Sequence, residues 1–158
     1  LRSNLFASLM GELLGHDQTK LMPELVENIK EGLNLTSKKV REGEIARGKI
    51  FNTMTKFFEE YDLLLAPSTI VSPFPVENRY VERCGEHKFT KYVDWLGIAF
   101  LATLASCPSM SLPAGKNSEG LPIGLQIIGP NRSEETLLSA AQYLEDLLGQ
   151  SPVPIDPQ

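Results

Sequence analysis

Cysteine and histidine are scarce, two of each among 158 residues, and the scarcity narrows the chemistry. Cys84 and Cys107 can form at most one bridge, which is not a disulfide framework, and the sequence as read opens with no basic-then-apolar leader. The expected setting is reduced and cytoplasmic. A basic excess is also missing: 15 Lys and Arg stand against 20 Asp and Glu, so no phosphate-neutralising surface and no nucleic-acid partner is expected. No apolar run reaches the length that spans a bilayer, so no membrane partner is expected. Proline is nearly absent from the first part. Ten of the 11 prolines lie at or after Pro67, so residues 1–62 read as mainly helical and residues 63–158 as strands mixed with helices.

What is present suffices for one domain core, with 42% apolar residues. Apolar residues at helical spacing predict helices over Leu5–Leu14, Pro23–Gly32 and Ser37–Glu60, the last with a core face of Ala46, Ile50, Met54, Phe57, Phe58 and Tyr61. Leu63–Ala66, closed by Pro67, reads as a strand buried on both faces. A twenty-residue loop is expected from Ser68 to His87. Thr90–Cys107 reads as a buried helix with Lys91 and Asp94 as its only charges. Ser109–Leu112 and Ile123–Ile128 read as strands joined by the turn-rich AGKNSEG. A final helix should be capped by Ser133, present Leu137, Leu138, Ala141, Leu144 and Leu148 on one face, and stop at Gly149 and Pro152.

A nucleophile is hard to find. There is no G-x-S-x-G elbow, no P-loop and no S-x-x-K. Cys84 and His87 are spaced like half a metal site without the other half, so no metal is expected. Cys107, just before Pro108, reads as a small apolar packing residue. Ser106, Ser109 and Ser111 are not expected to meet Lys116, because strand alternation and a turn intervene. Arg47 falls seven residues after Val40 and four, seven and eleven before Phe51, Met54 and Phe58, on the apolar stripe of its helix. A guanidinium there is either a structural ion pair or an anion or carbonyl clamp. Gly43 and Gly48 flank it and suggest a close packing neighbour.

The segments YDLLLAPST and WLGIAFLATLASCPSMSLPAGKNSEGLPIGLQIIGPNRSEETLL carry a resemblance. Pro113-Ala114-Gly115, Gly120-Leu121-Pro122-Ile123-Gly124-Leu125-Gln126, Gly129-Pro130 and Glu135-Thr136-Leu137-Leu138 follow in the order seen in the carboxy-terminal region of amidase signature enzymes. Arg47, fourteen residues before Tyr61, matches an arginine of that family's preceding helix. Thr103 and Ser106 stand where the family's Asn-Leu-Thr-Gly-x-Pro stretch has Asn and Gly. Leu96 stands where the glutamyl-tRNA amidotransferase A subunit has an aspartate that contributes to glutamine recognition, so the resemblance leans toward an apolar or aromatic amide.

The resemblance implies an α/β fold, part of a mixed β-sheet flanked by helices, in which residues 1–158 form the carboxy-terminal portion of a single amidase domain. It implies substrate contacts from Arg47, Thr69, Trp95, Leu96, Ala99 and Thr103, and no cofactor. The family's serine nucleophile, cis-peptide serine and lysine have no counterpart here, so the catalytic half is expected outside this chain. The chain begins at Leu1, directly in helix-like sequence, which fits a piece of something longer. Its expected partners are a small-molecule amide and the missing amino-terminal half; through exposed strand edges the chain should either self-associate, as a homo-oligomer, or remain bound to that half. A non-catalytic scaffold or binding module on the same fold is the alternative.

Overall fold

The computed structural model describes residues 1–149. Two compact units divide between Lys49 and Ile50, within a helix that belongs to both.

The first unit is helical. α1 (Arg2–Met10) runs into a tight turn at Gly11–Gly15, and α2 (Pro23–Leu33) starts with proline at its first position, where the missing N–H costs nothing. The two helices pack closely because Gly32 is bare. A Cβ there would lie 1.9 Å from the Ser3 carbonyl oxygen and 2.7 Å from the Ala7 Cβ. Ile29, one turn earlier on the same face, is fully buried. Arg2 Nη2 donates to Asn28 Oδ1 at 2.6 Å and Ser3 Oγ to Glu31 Oε2 at 3.0 Å, which fixes the register.

α3 (Ser37–Phe57) is the long helix expected, ending three residues early. Its core face is smaller than the spacing suggests: Met54 is buried and Phe57 and Phe58 half-buried, while Ala46 and Tyr61 are exposed. Neither flanking glycine of Arg47 supports tight packing by a neighbouring element. A Cβ on Gly43 would meet only the flexible Leu1 side chain at 3.3 Å, and one on Gly48 would meet nothing within 4 Å.

In the second unit three strands form an antiparallel sheet in the order β1 (Leu64–Pro67), β5 (Pro122–Ile128), β4 (Ser109–Lys116). β4 and β5 are the expected hairpin, with Asn117 Oδ1 accepting from the Glu119 and Leu121 amides to shape its turn. β1 differs from expectation. It lies at an edge of the three-stranded sheet, with residues alternating half-buried and exposed, and Leu65 is 52% exposed. An edge accommodates Pro67, which cannot donate to a ladder on both sides. The core forms where Leu112 and Ile127 meet Leu137 and Ala141 of α5 (Glu134–Leu148).

The long loop is partly structured by a two-stranded ribbon of β2 (Arg83–Cys84) and β3 (His87–Lys88). The apolar helix is shorter than expected. Asp94 accepts from the Thr90 and Lys91 amides, which turns the chain, and α4 spans only Gly97–Leu104 after a single tight turn at Asp94–Leu96. Ala102 is its one buried residue, so it is not the fully enclosed helix predicted.

α4 closes through a paired hydrogen-bond motif, Cys107 N to Ala102 O and Ser106 N to Thr103 O, with Ser106 in the left-handed region at φ 56°. This conformation favours glycine, the residue that the resembled family places there. Ser106→Gly should raise stability by about 0.5–1 kcal/mol and Ser106→Val lower it by at least about 1 kcal/mol, read from urea midpoints.

Ser133 is the residue before α5, but its hydroxyl donates to the Pro130 carbonyl at 2.7 Å instead of capping the helix. Leu138 and Leu148 lie on the exposed side of α5, not on its core face. Gly149, left-handed at φ 61°, ends the helix as expected. Pro152 lies outside the described residues. No helix among those residues is long and apolar enough to cross a membrane.

Candidate substrate cleft

The pairing of β1 continues one residue past Pro67, where the Ser68 amide donates to the Gly124 carbonyl at 3.0 Å. Gly124 sits in β5, opposite Pro113 of β4. Its missing side chain is the key to the site. A Cβ there would lie 2.6 Å from Ser68 Oγ and 3.1 Å from Ser111 Oγ. Over that gap the two hydroxyls meet at 2.5 Å, joining residues 43 apart in sequence.

The pair faces an open cleft of about 910 Å³, walled by residues that include Leu65, Ile70, Val71, Phe74, Trp95 and Ile123. Among the described residues no charged side chain lines it. An ion placed there would lose water without gaining a countercharge, so the cleft suits an uncharged, largely apolar group.

Of the six residues expected at a substrate, the cleft brings together Thr69 and Trp95. Thr69 is exposed, and its hydroxyl donates to the Val71 carbonyl at 2.8 Å, fixing the loop after β1. Trp95 packs edge-on against Phe74 with ring centroids 6.0 Å apart. Its indole N–H is buried and has no acceptor among the described residues, and the same holds for a donor to Gln126 Oε1. Each such orphan costs about 1–3 kcal/mol.

Leu96, Ala99 and Thr103 are outside the cleft lining. Leu96 is half-buried, and Ala99 and Thr103 lie on the exposed side of α4. Arg47 belongs to the first unit, where its Nη2 and Nε both reach Glu44 Oε2 at 2.9 Å. Of its two readings, the ion pair is present, but as an exposed one within a single helix turn. Such pairs contribute about 0.2–1 kcal/mol. Arg47→Ala should therefore shift a urea midpoint by less than about 1 kcal/mol of stability.

Cys84 and His87 face each other across the β2–β3 ribbon, and Cys84 Sγ approaches the Ile70 carbonyl at 3.5 Å. Among the described residues no group of three or more His, Cys, Asp or Glu side chains is arranged to hold a metal. Cys107 is half-buried in a small apolar hollow with Met54 and Phe58, and desolvation raises its thiol pKa above the ordinary value. That is the reverse of what a reactive thiolate needs.

Ser68, Ser111 and Gly124 carry the site's geometry, whereas the sequence considers Ser111 only against Lys116, shows Gly124 only as part of a motif, and does not connect the three. The available signal was Gly124, a glycine inside a strand, which marks close approach of another group.

Comparison with known proteins bears on this geometry. The amidase family profile matches residues 7–138. Among curated relatives, the A subunit of the glutamyl-tRNA(Gln) amidotransferase of Alkaliphilus metalliredigens is 39% identical over 103 residues, covering 65% of this chain and 20% of that protein. An acylamidase of Rhodococcus erythropolis is 29% identical over 124 residues, covering 77% of this chain and 25% of that protein. Among solved structures, a bacterial aryl acylamidase of the amidase signature enzymes superposes with a TM-score of 0.80 at 21% identity, over 96% of this chain and 34% of that one. A further amidase gives 0.81 at 24% identity, over 93% and 33%. At these identities the superpositions establish the fold. The chain spans about a fifth to a quarter of the length of these curated relatives.

Proposed function

This chain belongs to the amidase family, and from that premise we propose that it is the carboxy-terminal portion of a single amidase domain that hydrolyses carboxylic amides with apolar or aromatic acyl groups. The carrying observation is the uncharged cleft beside the Ser68–Ser111 pair. Thr69 and Trp95 form part of its wall. Leu96, Ala99 and Thr103 complete the substrate surface only together with chain outside these residues, and Arg47 contacts substrate only if its Glu44 pair opens.

The chemistry follows the mechanism implied by the family resemblance, with its three catalytic groups carried by chain beyond the present sequence. A serine oxygen bonds to the amide carbon while its proton passes through a second serine to a lysine. The C–N bond breaks, the proton leaves on the departing amine, and an acyl-enzyme remains. Water then cleaves that ester, releasing the acid and restoring the serine proton. Among the described residues, the two hydroxyls of the cleft have each other as partner, and the cleft lining includes no lysine or histidine to take a proton.

The partners of this reading are the amide and either the amino-terminal half of the same protein or, for the chain without that half, a second copy. A second reading, cleavage of the glutamine side-chain amide, is favoured by the identity to the amidotransferase. The two are separated by ammonia release from phenylpropionamide and from glutamine, using the enzyme translated from the complete reading frame. Faster release from phenylpropionamide is expected. Faster release from glutamine would replace the first reading by the second.

A further inference from the structure

The Ser68–Ser111 pair leaves one hydroxyl proton and three oxygen lone pairs unspent. In a contact of 2.5 Å one hydroxyl gives its proton to the other oxygen, and the second proton has no acceptor among the described residues. Gln126, the register partner of Ser111, keeps its Oε1 buried without a donor, so it does not take that proton. Gly124 keeps this arrangement open, because any side chain there would strike both hydroxyls. Three strands thus build one uncharged donor into a wall that is otherwise mostly apolar.

We propose that this pair is a specificity-determining anchor that selects acyl groups bearing one uncharged hydrogen-bond acceptor, such as an ether or carbonyl oxygen, on an otherwise apolar body. The inference rests on the amide-hydrolase reading and adds to it the polar feature of the preferred acyl group. A charged acceptor is disfavoured, since the lining offers it no countercharge. A purely apolar acyl group fills the same space but leaves the proton unpaired, and a site that hydrogen-bonds its substrate discriminates against the analogue lacking the acceptor.

The test compares two primary amides of nearly equal shape, para-methoxyphenylpropionamide and para-ethylphenylpropionamide, hydrolysed by the enzyme from the complete reading frame. The methoxy compound should have the higher kcat/KM, by a factor of about 3–10, the range of one net hydrogen bond. Ser68→Ala and Ser111→Ala should each bring that ratio close to one, whereas Ser111→Thr, which keeps the hydroxyl, should retain most of it. The ratio compares two substrates in the same variant, so a general loss of active protein cancels. Equal ratios in the parent enzyme and both alanine variants, with both amides still cleaved, would overturn the anchor and leave the amidase reading standing. Failure of the parent enzyme to cleave either amide, or any other amide, would overturn both.

Discussion

Gly32→Ala is expected to lower the stability of the helical unit by about 3 kcal/mol, although alanine is the better helix former by about 1 kcal/mol. The added methyl would have to sit 1.9 Å from the Ser3 carbonyl oxygen and 2.6 Å from its carbon. These are backbone atoms, so α1 as a whole must move away from α2, and the Arg2–Asn28 and Ser3–Glu31 bonds move with it. The same substitution at Gly48, where the new methyl meets nothing within 4 Å, should stabilise by about 0.5–1 kcal/mol. Urea unfolding followed by helical circular dichroism gives both values. Equal effects at the two positions would mean that α1 and α2 are not in contact at Gly32.

Ile127→Ala should cost about 3–4 kcal/mol. Ile127 is fully buried, on the central strand of the three, and lies in the cluster with Leu112, Leu137 and Ala141. Removing three carbons there leaves a hollow that packed neighbours on both sides cannot close. Leu138→Ala on α5 removes as many carbons from a side chain 55% exposed and should cost less than about 1 kcal/mol. A cost at Leu138 comparable with that at Ile127 would place another surface against that side of α5.

The contrast between Ile127 and Leu138 marks what sequence could supply. Periodicity located α2, α3 and α5, and the β4–β5 hairpin followed from two apolar runs around a turn-rich segment. Periodicity gives the side of a helix that is apolar, however, and not how much of that side another element covers. Leu138 and Leu148 share the leucine pattern of α5 but lie on its exposed side. The apolar residues of β1 predict burial, whereas its depth depends on how many strands flank it, and among the described residues only β5 does. Spacing predicts a longer α4 because no spacing rule reveals that the Asp94 carboxylate takes the Thr90 and Lys91 amides and turns the chain there.

The cleft was legible in part. Thr69 came from the family resemblance to the strand motif around Pro67, and Trp95 from the region aligned with the amidotransferase aspartate. The Ser68–Ser111 contact was not legible, since two serines 43 residues apart carry no mutual signal until β5 places both beside Gly124. Arg47 stands on an apolar stripe by spacing, but Phe51, four residues later on that stripe, is 40% exposed. The stripe there is too open to force a buried partner, and Glu44 on the same helix suffices.

The central claim, an amide hydrolase whose nucleophile is carried outside these residues, is tested most directly by finding which serine a fluorophosphonate probe modifies. The enzyme from the complete reading frame, labelled to one probe per chain and digested for mass spectrometry, should carry the label on a serine upstream of Leu1. The 158-residue chain alone should remain unlabelled and release no ammonia from phenylpropionamide. Stoichiometric labelling of Ser68, Ser111 or any other serine of this chain, together with amide turnover by the chain alone, would contradict the account.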